Sequence, residues 1–499
     1  MLIKSEPDEI QSYLSDASNM SGFAERVAFP ESAQEVSEIL AEATRTATPV
    51  TVSGAGTGIV GGRVPQGGIV LATDRMNKLR KIVRGPEGGH AIAQTGIVLA
   101  DFERLVAVEG LLYPPDPTER SCFLGATVAT NASGARTFKY GPTRDYVRGL
   151  QVVLPTGDLL NIRRNEIQAD KNGCFSLPVT EGRTIQARLP TYRMPQTRKH
   201  ASGYYVCTEL DLIDLFIGSE GTLGVITEVE VTLLPRPEGL ISGIVFFRSE
   251  QDLLAFVREA RERSLGTRTQ QKEGAIDARA LEYFDNESLR FLRKKYSEIP
   301  AAATGAVFFE QETSDTTEDA LMDHWLSLLE SHGALTEESW FAANENDQQR
   351  LREFRHALPA LVNEWLARQG QRKISTDMAV PDEAFPGMLR FYGETLRASE
   401  LQYVIFGHIG DNHVHVNMLP RDDTEAAKAR ELYLTFIDWA VAAGGTVSAE
   451  HGIGKLKRQY LEILYGKEHL REMAELKRAF DPAVILGRGN MFSQELLGL

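Results

Sequence analysis

Pro49-Val-Thr-Val-Ser53-Gly-Ala-Gly56-Thr-Gly58-Ile-Val-Gly61-Gly62 is typical of a short strand that runs straight into a glycine-rich loop. Gly56, Gly58 and Gly61 have the G-x-G-x-x-G spacing of a dinucleotide-binding turn, but one match of this kind is weak evidence. A parallel βαβ crossover needs a dozen or more residues, usually with a helix. Only the six residues 63–68 separate Gly62 from the next apolar run. The spacing therefore excludes a Rossmann fold and leaves two interpretations, a loop whose backbone N–H groups approach a pyrophosphate or a glycine-rich hairpin without a ligand.

Two later stretches are also built mainly from small residues. The first begins at Tyr113-Pro-Pro-Asp116 and continues through Leu124-Gly-Ala-Thr-Val-Ala-Thr-Asn131-Ala-Ser-Gly134 to Lys139-Tyr-Gly141. The second is Gly218-Ser-Glu-Gly-Thr-Leu-Gly224-Val-Ile226. Such segments make a poor packed core, but their backbone suits close approach to a planar ring system.

The remaining pattern indicates two halves with different architecture. The capping-box spacing of Ser32-Ala-Gln-Glu35 predicts the start of a helix, and residues 147–158 predict a strand entering a hairpin turn. Residues 163–198 show no clear period and predict a long loop or an insertion. Pro235 and Pro237 mark a boundary, beyond which strands alternate with longer amphipathic helices. This alternation predicts an α+β domain with helices stacked on one face of a sheet.

Histidines concentrate in two short stretches near the end of the chain. Four of the ten lie in Phe406-Gly-His408-Ile-Gly-Asp-Asn-His413-Val-His415-Val-Asn417 and Ser448-Ala-Glu450-His451-Gly452. Because side chains alternate along a strand, His413, His415 and Asn417 are predicted to share one face. Two imidazoles and a carboxylate suit zinc, manganese, iron or cobalt, with positions left open for a substrate. The alternative is an ordinary polar strand face without a metal.

Charge and cysteine content restrict the partners. With 54 basic and 69 acidic residues in 499, the net charge is −15, and an acidic surface repels nucleic acid. The three cysteines include no C-x-x-C pair, which argues against a disulfide framework or an iron–sulfur cluster and fits a reducing compartment. The N-terminus lacks the apolar core of a signal peptide, and no window is apolar enough for a transmembrane segment. We therefore expect a cytoplasmic location, with any membrane association peripheral.

In their order along the chain, these stretches resemble the FAD-dependent 2-hydroxy acid dehydrogenases of the vanillyl-alcohol oxidase superfamily. This family includes D-lactate dehydrogenases, glycolate oxidase flavoprotein subunits and D-2-hydroxyglutarate dehydrogenases. The resemblance runs from Val27 to Phe492 and implies an α+β fold, in which a PCMH-type FAD-binding domain of two subdomains is joined to a ferredoxin-like α+β cap domain. The implied limits are 1–237 for the FAD-binding domain, 238–445 for the cap with its metal-ligand histidines, and 446–499 for a segment that returns to the first domain.

The resemblance also assigns residues to the flavin. FAD would be held non-covalently, because Thr57 stands where covalently flavinylated relatives carry histidine. The implied cofactor-binding residues are Ser53, Gly54, Ala55, Gly56, Thr57, Gly58, Pro115, Asp116, Gly125, Ala126, Thr127, Thr130, Asn131, Ser133, Gly134, Tyr140, Gly141, Glu220, Gly221 and Ile226.

For the substrate side, the resemblance implies a divalent metal such as zinc, manganese or iron. Its ligands would be His408, His415 and Glu450. Asn417 and His451 would face the substrate, with His451 as the general base. Arg355 would bind the substrate carboxylate, which a planar guanidinium grips with two parallel hydrogen bonds. Arg352 competes for that role, and a solvated helix charge paired with a nearby glutamate is the plain alternative for Arg355.

Several positions depart from the family pattern. The usual Gly-Gly pair is Gly125-Ala126 here, and Gly487-Arg-Gly-Asn490 replaces a common Asn-Pro-Gly-Lys. His413 stands where asparagine is frequent, so it is an additional ligand, a variant or, as we favour, a partner that orients a ligand. A lysine that contacts dicarboxylate substrates in part of the family aligns near Ser375, and Lys373 is two residues away. This departure weakens the expectation of a 2-hydroxyglutarate-type substrate.

The expected reaction is oxidation of a D-2-hydroxy acid, such as D-lactate or glycolate, to the 2-oxo acid. The electrons would leave to a quinone, an electron carrier protein or oxygen, and a homo-oligomer is compatible with the sequence. Two other classes stay open. One is a two-histidine, one-carboxylate iron oxygenase, which needs no flavin. The other is a flavoprotein subunit of a larger complex or an oxidase of another alcohol.

Overall fold

The computed structural model describes residues 1–179, 182–342 and 344–499. Within these ranges the strands form four sheets. The strands are β1 (Leu2–Lys4), β2 (Arg26–Phe29), β3 (Val50–Ser53), β4 (Ile69–Ala72), β5 (Leu79–Gly85), β6 (Gly88–Gln94), β7 (Leu111–Leu112), β8 (Val147–Val153), β9 (Leu159–Arg163), β10 (Cys174–Pro178), β11 (Thr184–Arg188), β12 (Val225–Pro235), β13 (Gly239–Phe247), β14 (Ala278–Phe284), β15 (Gly305–Thr313), β16 (Trp340–Phe341), β17 (Ile374–Ser375), β18 (Gln402–Gly407) and β19 (His415–Leu419).

Helices connect and cover these sheets. They are α1 (Pro7–Ile10), α2 (Ala33–Thr46), α3 (Leu99–Val108), α4 (Leu124–Ala129), α5 (Thr137–Tyr140), α6 (Ile213–Phe216), α7 (Glu250–Gln270), α8 (Asn286–Leu292), α9 (Glu318–Ser331), α10 (Glu345–Arg368), α11 (Phe385–Ser399), α12 (Asp423–Ala442) and α13 (Arg458–Phe480). Helix α13 is kinked at Gly466, where φ is 79°. No helix within the described ranges has both the length and the apolar content needed to cross a bilayer.

The glycine-rich loop connects two strands of the first sheet. Its order is β1-β2-β4-β3, and β3 and β4 are parallel, with Val50 opposite Ile69. The connection between β3 and β4 contains no helix, as the spacing predicts. The parallel pairing rules out the glycine-rich hairpin. Ser32 caps α2 by accepting a hydrogen bond from Glu35 N at 3.3 Å, which confirms the predicted helix start.

The second sheet has the order β5-β6-β12-β8-β9, with β7 paired to β12. The predicted hairpin of β8 and β9 is present. Of the two interpretations of residues 163–198, the long loop is wrong, because β10 and β11 form an antiparallel hairpin there. Each of these strands has five residues, and β10 turns only Phe175 and Leu177 inward. Two apolar positions are too few to give a visible period.

The third large sheet belongs to the C-terminal half and is antiparallel, in the order β16-β13-β15-β14-β18-β19-β17. The prediction of helices on one face is wrong. Phe246 packs in a cluster with residues of α8 and α10, whereas its neighbour Phe247 packs in a cluster with residues of α7 and α9. Both faces are therefore covered. The physical reason is the continuous apolar run at the end of β13, because a strand buried on both faces carries no polar alternation.

The C-terminal residues return to the first sheet. Val50 N donates to Ile485 O at 2.8 Å, and Gly487 N donates to Val50 O at 2.9 Å. Lys477, which is fully buried, fixes this return. Its Nζ donates to Asp481 Oδ2, Thr222 O and Leu486 O, each at 2.9 Å.

Replacing Lys477 by methionine is expected to lower the free energy of unfolding by about 3–5 kcal/mol, because Asp481 would be left as a buried charge without its partner. Chemical denaturation of the flavin-bound protein measures this loss. The matched control is Lys467→Met on the same helix, since Lys467 is exposed and 3.6 Å from Glu462. Equal stability of the two variants would contradict the role given to Lys477.

Candidate active site

The turn between β18 and β19 brings three histidines together. His408 follows β18, a short 3-10 helix at Ile409–Asp411 reverses the chain, and His413 N donates to His408 O at 3.2 Å. His413 precedes β19. Of the three residues predicted to share one strand face, only His415 and Asn417 therefore lie in the strand. The rings still meet, with 4.6 Å between the centroids of His413 and His415 and 5.5 Å between those of His408 and His415.

Glu450 completes this group from a distant part of the chain. Its Oε2 lies 3.3 Å from His408 Nε2 and 3.8 Å from His415 Nε2. His413 Nδ1 lies 3.9 Å from Glu450 Oε1. Each of the four side chains offers one atom that could bind a metal ion, and these four atoms lie within 4.8 Å of one another.

Hydrogen bonds on the far side of the two predicted ligand histidines orient their rings. His408 Nδ1 is 2.6 Å from Glu282 Oε1, and His415 Nδ1 is 3.0 Å from Thr376 O. A carbonyl can only accept, so Nδ1 of His415 carries the proton and its Nε2 offers a lone pair towards Glu450. Metal-binding imidazoles are usually oriented in this way.

Burial and charge set the protonation of the group. Burial alone would raise the pKa of Glu450, but His408 and Lys199 outweigh it and hold that pKa well below its usual range. Burial lowers the pKa of His413 to about 4. It also acts to lower the pKa of His408, but Glu282 and Glu450 raise that pKa to about 9. A metal at His408 would therefore displace a proton.

Asp377 organises the other side of the group. It is fully buried, and its Oδ2 accepts from Lys457 Nζ at 2.7 Å and lies 3.2 Å from His451 Nδ1. The backbone N–H of His451 donates to the same oxygen at 3.1 Å. His413 Nε2 is 3.2 Å from Asp377 Oδ1. Burial alone would raise the pKa of Asp377, but His451 and Lys457 outweigh burial and hold that pKa well below its usual range. The carboxyl therefore stays ionised.

Arg355 and Asn417 border the same group. Arg355 Nε is 3.3 Å from Glu282 Oε2, so Glu282 bridges Arg355 and His408. Of the alternative interpretation of Arg355, the pairing with a glutamate is present, but a solvated charge is wrong, because the side chain is only 13% exposed. Asn417 is buried, and its Oδ1 accepts no hydrogen bond from the described residues.

The predicted flavin residues meet the histidine group at Ser133, whose Oγ donates to Glu450 Oε1 at 3.3 Å. Glu220 N donates to Ala129 O at 2.8 Å, which joins the second small-residue stretch to the first. The Glu220 carboxylate accepts from Ile453 N at 2.7 Å and from Gly454 N at 2.6 Å, just after His451 in the chain.

Some of the predicted flavin residues use their side chains inside the protein. Thr127 Oγ1 donates to Leu124 O and Thr130 Oγ1 to Ala126 O, while Asn131 Nδ2 donates to His200 O. Tyr140 OH donates to Glu312. Ile226 lies in β12 opposite Val152. These residues could face a flavin through their backbone or apolar surface rather than through a free polar group.

The glycines of the loop and of the first small-residue stretch differ in the space around them: some leave no room for a side chain, and one faces open space. A Cβ on Gly54 would lie 3.2 Å from Ala126 Cβ, and one on Gly125 would overlap Thr95 Oγ1 at 1.6 Å. A Cβ on Gly134 would lie 1.9 Å from Asp116 O, whereas one on Gly58 would meet nothing within 4 Å. The loop therefore packs closely against Ala126 at Gly54 and is open at Gly58.

Sequence reasoning missed four charged residues of the site: Lys199, Glu282, Asp377 and Lys457. Lys199 is fully buried, and its Nζ contacts Glu450. Asp377 lies just beyond β17. A charged residue inside an apolar strand pattern was the available signal for Asp377 and Glu282. No comparable local signal marks the two lysines.

Two family models match this chain. Residues 24–163 match the family described as "FAD binding domain", and residues 237–491 match "FAD linked oxidases, C-terminal domain". The chain is 30% identical to glycolate oxidase subunit GlcD of Bacillus subtilis, over 93% of this chain and 88% of that protein. It is 30% identical to a D-lactate dehydrogenase of Anaerostipes hadrus, over 92% and 88%.

Two further relatives extend this picture. A D-2-hydroxyglutarate dehydrogenase of Stutzerimonas stutzeri is 26% identical, over 94% of this chain and 90% of that protein. The solved structure of an alkyldihydroxyacetonephosphate synthase has a TM-score of 0.64 at 15% identity, and the match covers 97% of this chain and 81% of that one, which shows a shared α+β fold. The family resemblance found in the sequence is thereby confirmed, and the chain belongs to the FAD-linked oxidases, as an oxidoreductase of the D-lactate, glycolate and 2-hydroxyglutarate dehydrogenase family.

Proposed function

We propose that the protein oxidises a D-2-hydroxy acid to the 2-oxo acid, with FAD bound beside a divalent metal. The observation that carries this proposal is the position of Glu450. Its carboxylate lies between His408 and His415 and also accepts a hydrogen bond from Ser133, in the small-residue stretch assigned to the flavin. The metal site and the flavin site would therefore share one wall, as direct transfer between substrate and flavin requires.

The residues present fit a divalent metal. His408 and His415 each direct Nε2 towards Glu450 while Nδ1 is held by Glu282 or by Thr376 O. Two imidazoles and one carboxylate leave positions free for substrate oxygens. Bound there, a metal would supply Lewis-acid polarisation of the substrate's hydroxyl and carboxylate oxygens. We assign His413 to orientation, because it reaches both Asp377 and Glu450.

The residues present also fit FAD. Small residues line the base of the glycine-rich loop, and their backbone N–H groups suit a pyrophosphate. FAD would supply the acceptor for the two electrons released at the substrate's Cα. We keep 1–237, 238–445 and 446–499 as the proposed limits of the FAD-binding domain, the cap and the returning segment.

The side chains of this protein would bind the acid and move one proton. Arg355, held by Glu282, would pair with the substrate carboxylate. Asp377 fixes His451 through both its backbone N–H and its Nδ1, so Nε2 is left to accept the hydroxyl proton. A histidine oriented by a buried carboxylate is well suited to general-base catalysis. Asn417 Oδ1 would orient the substrate.

The direct test is anaerobic mixing of the purified yellow protein with D- and L-2-hydroxy acids while the visible flavin absorbance is recorded. We expect one or more D-acids to bleach the flavin. Chelation should abolish the bleaching, and a divalent metal should restore it. Bleaching that survives complete metal removal would refute the metal role, and bleaching by L-acids alone would refute the stereochemistry. Absence of a flavin spectrum would favour the iron oxygenase alternative.

A second arrangement is that the chain works as one subunit of a larger oxidase. It is favoured by the relative from Bacillus subtilis, which is named a subunit. An artificial electron acceptor separates the two arrangements. Steady turnover by the isolated chain supports an independent enzyme, whereas flavin reduction without turnover supports dependence on a partner that carries electrons onward.

Arg63 offers a test of the glycine-rich loop. Its Nη1 donates to Ser53 Oγ at 3.2 Å and to Gly54 O at 2.9 Å, and its Nε donates to Ser15 O at 2.8 Å. Arg63→Ala is expected to weaken FAD binding about tenfold, because the loop loses charge-assisted hydrogen bonds that hold its shape. Flavin fluorescence titration of the apoprotein measures the Kd. Arg45→Ala, at an exposed site on α2, should leave the Kd unchanged.

A further inference from the structure

The wall next to Arg355 carries four more arginines, which we call the arginine cluster: Arg120, Arg136, Arg279 and Arg352. They come from three separate parts of the chain, before α5, on β14 and on α10. Arg120 and Arg136 also line a cavity of about 400 Å³ together with Tyr113. Two members of the cluster therefore border a cavity.

The carboxylates that pair with the cluster are fewer than its arginines: Glu103 pairs with Arg120, while Asp116 and Glu310 serve Arg136 and Arg279. Arg136 Nε is 3.3 Å from Asp116 Oδ2 and 3.6 Å from Glu310 Oε2. Arg279 Nε is 3.6 Å from the same Glu310 oxygen. Both Nε atoms are buried and make no hydrogen bond within the described part of the chain. Buried donors whose carboxylate neighbours lie outside hydrogen-bond geometry are costly, so an external anion would be favoured beside these arginines.

Arg279 is aimed into the cluster by the backbone. A register shift between Ala278 and Ala280 interrupts the pairing of β14 with β15 at Arg279, and bulges of this kind redirect a side chain. The side chain is 6% exposed. Burial, and then the charge of Arg136, lower the pKa of Arg279 to about 10. A bound anion would relieve this mutual repulsion of the arginines.

Arg352 is the member nearest to the proposed carboxylate site. It precedes Arg355 by three residues on α10, and helix positions with this spacing lie about 5–6 Å apart. Its guanidinium contacts Gln349 Oε1 and forms no ion pair with a described carboxylate. On β14, Arg279 precedes Glu282 by three residues, which is about 10 Å along a strand. A short acid chain held at Arg355 could therefore reach Arg352, with Arg279 farther along the strand.

We infer that the arginine cluster binds a second anionic group of the substrate, so that the preferred 2-hydroxy acid carries a further carboxylate or a phosphate. This inference rests on the proposed function for the position of the first carboxylate. In part of the family a lysine near position 375 serves longer diacids, and this chain has Ser375 there. The arginine cluster would supply the missing positive charge from a different side of the site.

The experiment compares three substrates in the flavin-bound enzyme: D-lactate, D-2-hydroxyglutarate and D-3-phosphoglycerate. The wild type should show a kcat/KM at least about tenfold higher for one of the two dianionic acids than for D-lactate. Arg352→Gln should lower kcat/KM for that acid at least about tenfold more than for D-lactate, and Arg352→Lys should lie between. Preference for D-2-hydroxyglutarate identifies a carboxylate ligand, and preference for D-3-phosphoglycerate identifies a phosphate.

A binding measurement separates this inference from the reaction itself. 2-Oxoglutarate and phosphoenolpyruvate, but not pyruvate, should raise the midpoint of thermal unfolding of the wild type, and Arg352→Gln should reduce the rise. If no hydroxy acid reduces the flavin and this effect persists, the anion site stands and the proposed reaction falls. Arg368→Gln, at an exposed site on the same helix, should match the wild type in every assay.

Three results would overturn the inference. The first is an equal loss of kcat/KM for D-lactate and the dianionic acids in Arg352→Gln. The second is the absence of any preference for a dianionic acid in the wild type. The third is a fall in flavin content in Arg352→Gln, because the cluster would then serve the cofactor rather than the substrate.

Discussion

Glu450→Gln is expected to lower kcat by about a thousandfold while FAD stays bound. Glutamine has almost the same shape but carries no charge, so the group of His408 and His415 loses its anionic ligand and its affinity for a divalent cation. The buried ammonium of Lys199 would also lose the carboxylate that its Nζ contacts. Metal content by mass spectrometry, flavin absorbance and steady-state turnover together measure the effect.

A second variant protects this test against simple misfolding. His415→Gln removes one imidazole ligand but leaves the charges of Glu450 and Lys199 in place, and its amide could still donate to Thr376 O. We expect the same loss of metal and turnover with an unchanged flavin spectrum. The matched control is Glu468→Gln, because Glu468 is exposed on α13. Full activity in either ligand variant would refute the metal assignment.

His451→Ala is expected to lower kcat about 10²–10⁴-fold, which is the usual contribution of a positioned general base. Metal and flavin contents should stay at wild-type levels, since His451 is not one of the proposed ligands. Stopped-flow reduction of the flavin measures the rate, and metal analysis with flavin absorbance measures the two contents.

Asp377→Asn tests whether His451 works through its orientation. The amide would keep the shape of the side chain but could present an N–H to Nδ1 of His451, which favours the wrong tautomer. We expect a smaller kcat with a nearly unchanged KM. His324→Ala serves as the control, because His324 is exposed on α9. If a variant of His451 reduces its flavin at the wild-type rate, another residue must be the base.

Local motifs account for the part of this protein that its sequence predicts well. The glycine-rich loop excluded a Rossmann fold because a βαβ crossover cannot be made in so few residues, and the structure has no helix there. Likewise, His408, His413 and His415 are separated by so few residues that any turn between β18 and β19 brings them close. Features of this kind depend on chain neighbours and on backbone geometry, which a single sequence displays directly.

Long-range packing decided the rest. Helices cover both faces of the third large sheet because β13 is apolar on both sides. Only the folded chain shows which helices cover which face. The partners of the site come from far apart: Glu282 reaches His408 from β14, Asp377 reaches His451 from beyond β17, and Lys199 reaches Glu450 from the first half of the chain. The sequence by itself determined the family and the candidate ligands, because these lie in local motifs. Only the tertiary structure decided which buried charges orient them, because a buried charge must find its partner in space and not along the chain.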